Sequence, residues 1–235
     1  LLFCTPALNG NAAAQDTKRI YDGRLSPKPG IILPSEQALL KNKVMPVVRK
    51  WQNQGDSICT GGAEASGIDA AMGSFTRPAS VQRAILYRYC MTGHNRAVNG
   101  IAVIENGQLA AHVVYEGGWD NAIGAVPDLN GNGRSEIIVA TGGTNQGMTW
   151  KSIAIIELTD NSVAKFGRLQ TFSDDCGVSD SCRAEACRLS VKTGKAPVFY
   201  REDFAGKGSG GKWDRTGPAK EVSLEKDEIE YHAVK

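Results

Sequence analysis

The nine residues Asp128 to Glu136, reading Asp-Leu-Asn-Gly-Asn-Gly-Arg-Ser-Glu, constrain this chain more than any other stretch. Oxygen-bearing side chains stand at every second position, Asp128, Asn130 and Asn132, and a fourth follows at Glu136. Gly131 and Gly133 let the backbone turn tightly enough for those oxygens to converge. Several oxygens with no sulfur or nitrogen are what a hard cation such as Ca²⁺ takes. An Asn/Gly-rich turn without a metal is the competing reading, since turns favour the same residues. Immediately afterwards Ile137-Ile138-Val139-Ala140 reads as a buried strand, so the loop belongs to a β framework.

The rest of the chain from Gly67 repeats that pattern of short strands and turns. Strands are expected over 68–75, 82–90, 101–105, 108–115, 150–158, 163–172, 184–191 and 197–204, with edge strands at 222–224 and 229–231. Asn106-Gly107 between two of them is a strong hairpin signal. In 82–90, Ala84, Leu86, Arg88 and Cys90 share one face, and Arg83, Ile85, Tyr87 and Tyr89 the other. With 27 glycines and little helical periodicity, residues 67–235 are expected to form one all-β domain. Apolar residues at 41% and charged residues at 22% fit a globular chain. A net charge of +2 argues against nucleic acid, and no apolar run reaches the length of a membrane span.

Residues 1–14 read as the remnant of a signal peptide, with Leu1-Leu2-Phe3 apolar and Ala12-Ala13-Ala14 as cleavage residues. Residues 15–66 read as an N-terminal extension in which Ser35 caps a short helix that Pro46 ends, and Trp51 anchors the segment on the domain. Removal of Cys4 would leave five cysteines, with bridges expected between Cys176 and Cys182 and between Cys59 and Cys90. Disulfides and a signal peptide together imply a secreted or periplasmic protein.

Ala125-Val126-Pro127-Asp128 through Ile137-Ile138-Val139 resembles the FG-GAP/VCBS repeat of exported bacterial proteins and integrin α-subunit propellers. The resemblance is specific over roughly 25 residues. It places Asp128, Asn130, Asn132 and Glu136 on side-chain ligand positions for Ca²⁺ and Arg134 on the position that binds through its carbonyl. It implies a small or incomplete β-propeller, with a β-sandwich as the alternative. At 40–45 residues per blade, about four blades fit. A single clear copy of the loop is present where propellers repeat theirs. An EF-hand fits less well, because Val139 stands where its bidentate Glu belongs and no helix flanks the loop.

Other signals are weaker. Gly206 to Lys212 satisfies Gly-x-x-x-x-Gly-Lys, but Trp213 replaces the Mg²⁺-binding Ser/Thr and Pro218 forbids the following helix, so this is a glycine linker. The carboxylates of 225–230 alternate with Ile229 and Tyr231, as a solvated edge would. Trp119, Asp120, Asn145, Gln146 and Trp150 are the candidate ligand face, aromatic and amide-rich as sugar sites are. The expected function is an exported, calcium-stabilised binding module for an extracellular protein or carbohydrate. The alternative is a hydrolase of extracellular polymer using His94, Asp120 or Glu116. Oligomeric state and ligand are not set by the sequence.

Overall fold

The computed structural model describes residues 16–26, 28–52, 59–60, 65–159, 162–178, 182–207 and 211–234. The stretch 1–14 read above as a signal peptide and the centre of the 206–211 glycine linker lie outside them. In chain order the elements are β1 (Lys18–Asp22), α1 (Pro34–Leu39), α2 (Met45–Gln52), β2 (Ser66–Gly73), β3 (Gln82–Met91), β4 (Ala97–Glu105) and β5 (Gln108–Gly117). There follow β6 (Asp120–Val126), β7 (Glu136–Asn145), β8 (Met148–Leu158), β9 (Val163–Asp174), β10 (Ala184–Lys192) and β11 (Val198–Gly206). Three short strands end the chain: β12 (Trp213–Arg215), β13 (Lys220–Val222) and β14 (His232–Ala233).

The strands form two antiparallel sheets, of nine and five strands, and no propeller is detected among them. The small sheet runs β14-β5-β4-β3-β2, and the large one β6 through β12 in order with β1 on β10 and β13 on β11. Every strand from β2 to β5 and from β6 to β9 pairs with its neighbour in sequence. Turn chemistry drives this meander. Asn106-Gly107 and Gln146-Gly147 both take positive φ, as two-residue hairpins between right-twisted strands require.

Faces of the two sheets make the core. Ala84, Leu86, Ile101, Val103 and Val113 of the small sheet pack on Ile123, Ile137, Val139 and Ile156 of the large one. Asp69, buried at a β2 bulge, stitches the sheets together, its Oδ2 accepting the Ile123 amide at 2.8 Å. The opposite face of the small sheet, with Ile85, Tyr87 and Val114, is covered by Leu40, Val44 and Val48 of the helical segment. β9 and β10 pair over three residues only. Beyond them Cys187, Leu189 and Val191 of β10 join Ile138, Ile153 and Ile155 in a third cluster.

Three local expectations are revised. The helix starts at Pro34 rather than after Ser35, because proline suits a first turn and the Glu36 carboxylate accepts the Leu33 amide at 2.8 Å. Pro46 does not end it: a π-helical turn over Leu40–Val44 opens the ladder ahead of the proline, and α2 continues to Gln52. The register of β3 on β4 slips at Tyr89, so Cys90 leaves the Ala84–Leu86 face and packs beside Tyr89 against the helix. There it meets Cys59. Both expected disulfides, Cys59–Cys90 and Cys176–Cys182, are present, and Cys187 is a buried free thiol. They point to an oxidising, extracytoplasmic setting, and among the described residues no helix is long and apolar enough to cross a membrane. Residues 229–231 are not a strand. Pairing occurs just beyond, where His232–Ala233 meets β5.

His112, 3% exposed on β5, has its Nε2 2.5 Å from the Tyr87 hydroxyl. Burial lowers its pKa to about 4, so the ring is neutral at pH 7 and shares one hydrogen bond with the tyrosine hydroxyl. A depressed pKa stabilises the fold above pH 6.5 and loses that contribution as pH falls toward 4. Denaturant unfolding at pH 7 and 4.5 should therefore show about 2 kcal/mol of acid destabilisation from this ring. In His112→Gln that pH-dependent part should vanish, and an unchanged acid slope would refute the assignment.

Candidate cation loop and inter-sheet cleft

The predicted loop joins β6 to β7 and is tightly organised. Asp128 Oδ1 accepts the amides of Gly131 (2.7 Å) and Asn132 (3.0 Å), and its Oδ2 that of Gly133 (2.8 Å). Positive φ at Gly131 and Gly133 makes this wrapping possible. Asn130 and Asn132 do not aim their oxygens at a common point. Those oxygens accept the amides of Asn132 and Arg134, while the amide nitrogens turn to Glu157 Oε2 (2.6 Å) and Oε1 (2.7 Å). Arg134 brings its guanidinium as well, ion-paired to the same Glu157.

Glu157, buried on β8, is the member that the sequence reading missed. A carboxylate inside the apolar run Ile155-Ile156-Glu157-Leu158 was the available signal, since a buried charge demands partners. Glu136 is fully buried; its Oε2 accepts the Leu129 amide at 2.8 Å and its Oε1 has no protein partner. Burial pushes its pKa up to about 7, with the Glu157 and Asp128 charges adding to the rise. Asp128, Glu136 and Glu157 thus surround the loop, with one buried partnerless oxygen among them, but they do not bring three ligand atoms within 4.8 Å of one another. Among the described residues, the one group with ligand atoms within 4.8 Å of one another is Asp174, Cys176 and Cys182. Its cysteines are joined in a disulfide, which removes their thiolates as ligands.

A cleft of about 710 Å³ opens at the other end of the β7–β8 hairpin, between the sheets and the C-terminal segment. Glu116 and Thr141 come from the small and the large sheet, Trp150 and Arg168 from β8 and β9, and Trp51 and His232 close it. A side pocket of about 110 Å³, containing His94, Trp119, Asn145 and Trp150, shares Asn95 and Trp150 with it. The predicted ligand face is thus gathered in part. Trp119, Asn145 and Trp150 line the side pocket, Gln146 sits outside at the hairpin tip, and Asp120 lies below the cleft floor. Trp51 both packs on the core and lines the cleft.

The floor beneath is a buried polar network. Tyr115 donates to Asp120 Oδ2 at 2.6 Å and Asn99 Nδ2 to the same oxygen at 3.2 Å. Burial raises the Asp120 pKa to about 6, against the Tyr115 hydrogen bond and the positive charges of Arg168 and Arg88. Tyr231 donates to Asp227 at 2.9 Å, and Arg168 lies 3.7 Å from that carboxylate. Thr141 Oγ1, beside Asp120, is buried without a well-formed hydrogen bond and borders the cleft. Glu116 accepts from Thr92 at 2.7 Å and pairs with Arg96 at 3.3 Å. Of the three candidate hydrolytic residues, Glu116 borders the cleft, His94 the side pocket, and Asp120 neither.

No family model, curated protein or solved structure matches this chain.

Proposed function

We propose that this chain is an exported, calcium-stabilised binding module of FG-GAP/VCBS type, secreted or periplasmic, that holds an extracellular ligand in the inter-sheet cleft. The observation that carries the reading is the division of the β7–β8 hairpin. Glu136 and Glu157 hold the carboxylate-rich loop at one end, and Thr141 and Trp150 wall the cleft at the other. Calcium supplies positive charge to Asp128, Glu136 and Glu157 and fixes the hairpin; no chemistry occurs at the metal. The loop lies within the antiparallel run β6–β9 of the nine-stranded sheet, between strands as the repeat's calcium loop does.

Thermal unfolding in calcium and in chelator tests this. A cation bound only by the native state at millimolar affinity stabilises it by roughly 1.4 kcal/mol at a tenfold excess over Kd. Asp128→Ala should abolish the rise in Tm. An identical Tm for the wild type in both conditions would overturn the metal assignment.

A second reading, an extracellular hydrolase, is favoured by one observation: Asp120, with its pKa raised to about 6, underlies a cleft bordered by Glu116. Asp120 is 3% exposed, and its Oδ2 is engaged by Tyr115 and Asn99, which favours a positioning role. Polymer cleavage that is lost in Glu116→Gln would replace the binding reading.

A further inference from the structure

The cleft and its side pocket are built for one class of ligand, and we infer that they bind a neutral oligosaccharide. This rests on the binding-module reading above. The cavity of about 710 Å³ lies within the size range that buries a ligand of a few rings. Each arginine that lines it faces a carboxylate. Arg96 is paired with Glu116, Arg168 lies against Asp227, and Glu228 and Glu230 add negative charge at the rim. A phosphate, sulfate or uronate would meet this acidic rim with neither guanidinium uncommitted.

Aromatic and amide groups dominate what remains. Trp119 and Trp150 flank Gly143, where an added Cβ would lie 3.8 Å from one indole and 4.0 Å from the other. The absent side chain leaves a space bordered by both indoles, with His94 6.5 Å from the Trp119 ring. Pyranose C–H faces stack on such rings, while hydroxyls above and below need planar donors and acceptors. Asn95, shared by both pockets, and Asn145 supply them. Thr141 Oγ1 is the second, independent sign. It is 4% exposed, borders the cleft, and makes only a loose contact with Asp120 and no well-formed hydrogen bond, so a ligand hydroxyl completes it. At the mouth the Glu230 carboxylate accepts from vicinal hydroxyls, while Glu228 is paired with Lys226.

A glycan array carrying neutral and charged oligosaccharides, followed by titration calorimetry on the best neutral hit, tests the inference. The full chain is used in calcium, with Tm recorded in calcium and chelator beside it. We expect retention of at least one neutral glycan. Trp150→Ala should weaken it roughly tenfold and Thr141→Val roughly fivefold, with Tm unchanged or nearly so in Thr141→Val. Gly143→Leu, which fills the space between the indoles, should weaken binding as much as Trp150→Ala does. Retention of charged glycans only, of no glycan at all, or of a neutral glycan with wild-type affinity in both Trp150→Ala and Gly143→Leu would overturn it. A calcium-dependent Tm without glycan binding would sink this inference and leave the calcium module standing. Glycan binding without a calcium response would do the reverse.

Discussion

Glu157→Ala is expected to cost about 3 kcal/mol, because removing one partner strands the others in a buried site. The side-chain amides of Asn130 and Asn132 lose their acceptors, and Arg134, 22% exposed with Nε already unpartnered, loses its counter-charge. For a chain of this size that corresponds to a fall in Tm of roughly 6–12 °C. The same substitution should remove the calcium-dependent rise in Tm, since it deletes one of three carboxylates around the loop. Unfolding curves of wild type and variant in calcium and chelator separate the two effects. An equal loss in both conditions would make Glu157 an anchor of the loop only. A nearly neutral variant would refute the network itself. Glu157→Gln should recover part of the intrinsic stability, because it keeps one acceptor, without recovering the calcium response.

Gly100→Ala is expected to destabilise by about 3 kcal/mol, at the upper end of overpacking costs. A Cβ there would lie 2.2 Å from the Tyr87 hydroxyl and 2.3 Å from its ring carbon, deep in the small sheet. Tyr87 is fully buried and its hydroxyl is held by His112, so the ring has no room to retreat. Tyr87→Leu on its own should also destabilise, through lost burial and an unpaired His112. The double variant Gly100→Ala/Tyr87→Leu should be clearly more stable than the sum of the two losses, because the clash exists only with the ring present. Strict additivity in denaturant unfolding would show that the strain lies elsewhere.

How much of this was legible in the sequence differs between elements. Period-two patterning placed most strands within a few residues, and Asn106-Gly107 fixed its hairpin outright, because both signals are local. β6 was overlooked. Its Gly124 and polar Asn121 dilute the alternation, and its burial comes from Asp69 and Ile137, which lie far away in sequence. The face of Cys90 was misassigned because a bulge shifts the register, and nothing in Arg88-Tyr89-Cys90 announces a bulge. The Cys59–Cys90 pairing was nevertheless anticipated. In the loop, Asp128 and Glu136 were readable from their spacing, but Glu157 lies 21 positions beyond Glu136 and reaches the loop only through β7–β8 pairing.

The sequence by itself determined the antiparallel hairpins, the Cys176–Cys182 disulfide and the oxygen-rich loop, all of which follow from short-range spacing. Only the tertiary structure decided the two-sheet arrangement, the buried company of Glu136, and a cleft assembled from both sheets, the helix and the C-terminal segment. The reason is physical. Backbone turns and alternating faces are set by residues a few positions apart. A buried charge or a cavity is set by which distant surfaces come together to exclude water, and that depends on the packing of the whole chain.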